Sequence, residues 1–285
     1  MTKKHSIAVL LPTRGRTTAL DRSVYSIIDT AADPSKVQLL LGFDRDDTAA
    51  LEHFDTNLRP ALEQRNINFV AMKFAPLGYV NIHKYYNHLA KHADADWLFI
   101  WNDDAFMSTP GWDQVVAQHT GQLKVLKLHT HNEHPYSIFP IVPQTWIDLL
   151  GYLTGHQMID AWISQIGYMM DLIEIVDIDV THDRHDLTGN NADATFKGRT
   201  CLEGKPHDPA DFHHPSNTYR RQADCEKIAT YLQAHGISTA WWESVKAGTQ
   251  DPWEKLKAND INSQMVQFNM TVDHANNQIK YSAAT

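Results

Sequence analysis

Cysteine is nearly absent from this 285-residue chain: Cys201 and Cys225 are the only two, too few for a disulfide scaffold. A single bridge between them and free thiols in a reducing cytoplasm fit that count equally. Long apolar runs are missing as well. No stretch approaches the ~20 apolar residues of a membrane-spanning helix. The opening Met-Thr-Lys-Lys-His leads only into Ile7–Leu11, too short for a signal-peptide core, and Pro-Thr-Arg-Gly-Arg ends it. A cytoplasmic location is the expectation. Basic residues are in deficit, 25 against 34 acidic, for a net charge of -9. That disfavours a general nucleic-acid or acidic-membrane binder but leaves room for a local phosphate pocket. Internal repeats and low-complexity tracts are lacking too, and near the first apolar run the only glycine is Gly15.

What is present is an ordinary globular balance, 42% hydrophobic and 21% charged, which argues against disorder. The first half alternates regularly. Ser6–Pro12 is a continuous apolar run, as a buried parallel strand should be. Thr17–Thr30 carries Leu20, Val24, Ile27 and Ile28 at helical spacing. Strands follow at Val37–Phe43, Asn68–Phe74 and Trp97–Trp101. Helices are expected over Thr48–Asn66, broken at Pro60, and over Asn81–Ala93. Such a series predicts an α/β fold with a mostly parallel central sheet and helices on both faces. In such sheets ligands bind beyond the carboxyl ends of the strands.

The second half is less regular. Lys124–Leu128, Tyr136–Val142 and Glu174–Val180 read as strands, with helices from Pro143 and over His156–Gly167 and Asn217–His235. The segment from Asp186 to about Ser216 is rich in Gly, Asn, Asp, Pro and His and reads as a long loop. Trp241, Trp242 and Trp253 predict a docked tail. The expected division is a catalytic domain over 1–185 and an irregular, helical C-terminal extension over 186–285.

Polar clusters stand after the first, second and fourth expected strands. Thr13-Arg14-Gly15-Arg16 could hold phosphate through arginine and backbone amides, or be a solvated loop capped by Thr17. In Asp44-Arg45-Asp46-Asp47, Asp46 or Asp47 caps the next helix, while Asp44 could accept an N–H from a nucleotide base. Asn102-Asp103-Asp104 is either a divalent-metal site or a helix cap. Among 17 histidines, His182 and His185 lie just past a strand. His129, His131 and His134, and His207, His213 and His214, form rival groupings. Asp160 is a lone acid in an apolar helical turn: a general base if it faces a pocket, a polar helix face otherwise. Lys84 and Asn87 are phosphate contacts or ordinary surface residues.

Taken in order, VLLPTRGR, LLLGFDRDD, WLFIWNDDAFMSTPGWD, the MIDAW helix and a later strand leading to histidine resemble the GT-A glycosyltransferases. The likeness is greatest to the family 2-like enzymes and their phage-encoded relatives, and it spans roughly residues 6–185. The resemblance implies a Rossmann-like GT-A fold binding a nucleotide diphosphate sugar, most commonly a UDP-sugar. It implies Thr13 and Arg14 against the nucleoside, Asp44 on the base, Asn102 on ribose and Asp103 near the donor sugar. Lys84 is grouped with these as a donor contact. It further implies Asp104 and His182 as ligands of Mn2+ or Mg2+, with Asp160 as the base that activates an acceptor hydroxyl, giving inversion. The first acidic position of the family motif is here Asn102, which bonds a hydroxyl but carries no charge. The resemblance does not reach the residues after Asp186, nor identify the acceptor. The competing classes are a sugar-nucleotide nucleotidyltransferase, disfavoured by the missing glycine-rich loop, and a non-catalytic carbohydrate-binding protein using tryptophans such as Trp101, Trp112, Trp162 and Trp241.

Overall fold

The computed structural model describes residues 3–130, 134–183 and 212–254, with the backbone of Phe268–Asp273 and Gln278–Ala283. The first half runs β1 (His5–Thr13), α1 (Thr17–Thr30), β2 (Val37–Asp44), α2 (Thr48–His53), α3 (Arg59–Gln64), β3 (Asn68–Phe74), α4 (Ile82–Ala90) and β4 (Ala95–Ile100). It continues with β5 (Ala105–Met107), α5 (Trp112–Ala117), β6 (Val125–Thr130), β7 (Ile141–Pro143), α6 (Gln144–Leu150), α7 (Ile159–Met169) and β8 (Ile173–His182). Helices α8 (Pro215–Ala234) and α9 (Ala240–Lys246) and the antiparallel pair β9 (Phe268–Asp273) and β10 (Gln278–Ala283) follow.

Strands β1 to β8 form one eight-stranded sheet in the order β3-β2-β1-β4-β7-β6-β8-β5. Alternation along β1 divides the core. Ala8 and Leu10 join one buried cluster with Tyr86, Trp146 and Trp162; Ile7, Val9 and Leu11 join the other with Leu20, Val24 and Ile27 of α1. Helices therefore cover both faces, and β1 and β2 read as continuous apolar runs because both of their faces are buried.

The expected mostly parallel sheet holds for β3-β2-β1-β4. Beyond β4 the sheet is mixed: β7 runs antiparallel to β4 and β6, and β5 antiparallel to β8, while β6 and β8 are parallel. The short strands β5 and β7 make the difference, since they need no helical crossover. The expected strand over Tyr136–Val142 shrinks to β7. Ser137 N–H bonds Ser164 Oγ at 2.9 Å and Ser137 Oγ bonds the Leu126 carbonyl at 3.2 Å, so this stretch spends its hydrogen bonds outside the ladder. The break expected at Pro60 is a widened turn just before it, where Arg59 N–H reaches back to the Phe54 carbonyl. The helix expected from His156 starts at Ile159, because His156 Nδ1 accepts the Met158 N–H at 3.1 Å and holds a tight turn.

The tail docks as expected. Trp242 and Trp253 are buried with Cys225, Ile228 and Leu232 of α8 in the cluster that contains α7. Cys225 is a buried free thiol. The long loop expected from Asp186 falls mostly outside the described residues. Among the described residues, no helix is long and apolar enough to cross a membrane.

Candidate active site

Strands β2, β1 and β4 are neighbours and parallel, so their polar ends meet at one sheet edge. There Thr13 Oγ1 donates to Asp103 Oδ2 at 2.7 Å. Arg16 Nη1 lies 2.9 Å from both Asp103 Oδ1 and Asp104 Oδ2. No helix follows the acidic pair; Ala105 N–H closes a turn on the Asn102 carbonyl and the chain enters β5. The capping explanation for these acids therefore falls away. Ser23 anchors the turn from α1, donating to the Asn102 carbonyl at 3.0 Å and accepting Trp101 Nε1 at 2.7 Å.

Asp103 and Asp104 are both buried, and burial works to raise both carboxyls. For Asp103 burial wins over Arg16, and its pKa lies above the ordinary value. For Asp104 the approach of His182 and Arg16 outweighs burial and holds it below the ordinary value. His182 Nε2 comes within 3.2 Å of Asp104 Oδ1, but that buried oxygen has no aligned hydrogen-bond partner. An orphaned buried carboxylate oxygen beside an imidazole nitrogen fits a divalent ion such as Mn2+ or Mg2+. Among the described residues no three acid, histidine or cysteine side chains converge on one point. Of the described residues, Asp104 and His182 are the ones placed to hold such an ion.

At the end of β2, Asp44 is buried with both oxygens engaged: Oδ2 takes Arg14 Nη1 at 2.7 Å and Oδ1 takes the Tyr85 hydroxyl. Arg14 also grips Asp46 through two hydrogen bonds. Asp47 caps α2 by accepting Ala50 N–H at 3.2 Å, and its other oxygen takes Gly15 N–H at 2.6 Å. Thr17 is not a cap; the position before α1 belongs to Arg16 and has no side-chain cap bond. Gly15 has a φ of 70°, in the left-handed region that favours glycine.

Two residues escaped the sequence reading. Tyr85 reaches Asp44, while the Tyr86 hydroxyl is shared between the Trp101 carbonyl at 2.9 Å and Asn102 Oδ1 at 2.8 Å. Burial, with Asp44 adding to it, pushes the Tyr85 hydroxyl up to about 12. Adjacent helical residues point about 100° apart, which lets this pair serve two strand ends. The available signal was two tyrosines side by side on an amphipathic helix.

Asp160 sits half-buried in the first turn of α7, close enough to Tyr86 to act on its charge. Asp44, Asp46, Asp47, Asp103 and Asp104 all hold partners, whereas Asp160 forms no hydrogen bond or ion pair among the described residues. Lys84 is exposed on α4 and forms no hydrogen bond or ion pair among the described residues. Asn87 is structural, its amide holding the backbone of Leu153 and Thr154. Of the rival histidine groups, His131, His185 and His207 lie outside the described residues. His214 caps α8 by accepting Ser216 N–H at 3.2 Å, and His134 Nδ1 accepts Tyr136 N–H at 3.0 Å.

No protein-family model matches this sequence, and no curated protein matches it. Solved structures do match in fold. The mannosyltransferase PcManGT from Pyrobaculum calidifontis, in complex with GDP-Man and Mn2+, superposes with a TM-score of 0.52 at 10% identity, over 92% of this chain and 89% of that one. Residues 1–349 of TarS from S. aureus give a TM-score of 0.46 at 10% identity, over 98% of this chain and 97% of that one. The fold is the Rossmann-like GT-A arrangement, as the sequence resemblance implies.

Proposed function

We propose that this chain is a metal-dependent glycosyltransferase that moves a sugar from a nucleotide diphosphate sugar, a UDP-sugar in this reading, to an acceptor hydroxyl with inversion. The observation that carries it is the contrast among carboxylates at one sheet edge. Asp103 and Asp104 are buried around Arg16, with one oxygen orphaned beside His182. Asp160 stands half-buried and unpartnered at the same end. The first arrangement suits a cation with a diphosphate, the second a proton acceptor.

Bound at Asp104 and His182, Mn2+ or Mg2+ would supply Lewis-acid neutralisation of the charge that develops on the leaving diphosphate. Asp160 takes the proton of the acceptor hydroxyl as its oxygen attacks the anomeric carbon and the bond to the diphosphate oxygen breaks. Thr13 and Arg16 fix Asp103 against the donor sugar, and Asn102 bonds a ribose hydroxyl. Asp44 receives the base at its remaining lone pairs, with Arg14 beside it. Holding donor and acceptor together supplies the orientation that a single displacement requires.

The test is a thermal-shift series with UDP, GDP and dTDP, each with and without Mn2+. A ligand at 100 times its Kd adds about 2.7 kcal/mol, a shift of several degrees. A Mn2+-dependent shift with one nucleotide is expected, and Asp104→Ala should erase the metal-dependent part. Absence of any Mn2+-dependent shift, or an unchanged one in Asp104→Ala, overturns the assignment.

A further inference from the structure

A cationic cluster stands where α4, the 151–158 connection and α8 meet, with Lys84 and Arg220 exposed, and none of the roles above uses it. Asn87 on α4 pins the connection: its Nδ2 donates to the Thr154 carbonyl at 2.8 Å, and its Oδ1 accepts Leu153 and Thr154 N–H at 2.8 and 3.1 Å. His83 stands one helical turn earlier on the same face of α4. Its Nδ1 is buried without a hydrogen-bond partner.

Arg220 of α8 is exposed but held in place. Its guanidinium lies 4.3 Å from the Tyr152 ring centroid and 5.8 Å from that of Trp162, and its Nε donates to the Tyr152 hydroxyl at 3.1 Å. Gly155 permits this approach. A Cβ there would stand 2.8 Å from the Trp162 ring and 3.1 Å from Arg220 Cζ. Stacking and the Nε bond fix the plane of the fork, while its terminal nitrogens have no partner among the described residues. Asp224 feels the Arg220 charge but does not bond its terminal nitrogens; that buried carboxylate takes the Tyr152 hydroxyl and lies 3.9 Å from Lys227. Exposed Lys84 also lacks an ion-pair partner among the described residues. The local field is positive: burial first, then His156, Lys84 and Arg220, push His83 down to about 4. This occurs in a chain whose net charge is -9.

A planar, pre-oriented fork with free donors is the geometry that accepts a carboxylate or phosphate through paired hydrogen bonds. His83 lies three residues before Tyr86 on α4, and Tyr86 is near enough to Asp160 to feel its charge, which sets these groups on the side of the proposed base. We propose that this cluster is an acceptor subsite for an anionic saccharide, one carrying a phosphomonoester or carboxylate, seated on Arg220 with Lys84 and His83 beside it. The word acceptor rests on the transferase reading; the anion site itself does not.

The probes are glucose 6-phosphate, glucuronate and neutral glucose, titrated calorimetrically into the full-length chain, with UDP and Mn2+ titrated separately. The wild type should bind an anionic sugar at least tenfold more tightly than glucose. Arg220→Gln should lose that preference and keep UDP–Mn2+ binding. Arg220→Lys, which keeps charge without the fork, should retain part of it, and matched melting temperatures would show that both variants fold. Equal affinity for glucose and both anions, or an unaltered preference in Arg220→Gln, overturns the proposal. Anion binding that depends on Arg220 in a chain that fails to bind any nucleotide with Mn2+ would sink the transferase reading and leave the anion site standing.

Discussion

Replacing Arg16 by Gln tests the electrostatic logic of the site without needing a substrate. Arg16 serves two carboxylates at once, at 2.9 Å each. Its side chain is 10% exposed, and those of Asp103 and Asp104 are 8% exposed. Loss of one partner from such a buried group costs about 3–5 kcal/mol, because the other charges stay buried and uncompensated. At about 2–4 °C per kcal/mol for a chain of this size class, Arg16→Gln should melt about 6–20 °C below wild type. Arg59→Gln is the internal control. Its ion pair with Asp55 has side chains 39% and 47% exposed, and such surface pairs are worth at most about 1 kcal/mol. Adding Asp103→Asn to Arg16→Gln removes one stranded charge, so the double variant should lose less than the two single variants together. Millimolar Mn2+ should raise the melting temperature of Arg16→Gln more than that of wild type, since a cation can take over the guanidinium's role. Scanning calorimetry at neutral pH reads all of these. An Arg16→Gln melting temperature within a degree of wild type, or strictly additive losses in the double variant, would refute the reasoning.

Asp160→Asn keeps the shape and removes the basicity. Transfer to a confirmed acceptor, or slow donor hydrolysis, should fall about 10²–10⁴-fold while donor affinity survives; transfer at the wild-type rate would remove Asp160 as the base. His83 titrates at about 4 in the folded chain against an ordinary 6.5, so the unfolded chain binds the extra proton and stability is lost as pH falls from 6.5 towards 4. His83→Asn should lose less stability than wild type over that window in pH-dependent thermal melts, and parallel pH curves would count against the depressed value.

Strands β1, β2 and β4 were legible because burial on both faces leaves them as near-continuous apolar runs, and the edge strand β3, with no buried residue, by its alternation. The strand-end acids were legible as breaks in those apolar runs, although Asp44, Asp103 and Asp104 are themselves buried. Their partners were not. Thr13 meets Asp103 across 90 residues of sequence, and Arg16 meets Asp104 across 88. No periodicity encodes such pairings; they exist because β1 and β4 lie side by side. From sequence Asp44 is a candidate acceptor for a base; the fold also engages both of its oxygens with Arg14 and Tyr85, partners no sequence pattern announces.

His182 shows how a strand hidden from the sequence builds the site. From sequence it competes with His185 simply as a histidine past a strand. In the fold it is the last residue of β8, and β5 pairs antiparallel with β8 so that Ala105 faces His182. Asp104 immediately precedes β5, and its carbonyl accepts the Asp183 N–H at 2.7 Å, which extends the pairing by one step. Arg22 holds Asp183 from α1 at 2.6 Å, and Phe139 packs edge-on against the His182 ring at 4.9 Å. Because strand side chains alternate between faces, a slip of one residue in this register would turn His182 to the opposite face of the sheet. Three residues of strand, Ala105 to Met107, thus determine which histidine meets the Asp104 carboxylate, although a segment that short carries no readable period of its own.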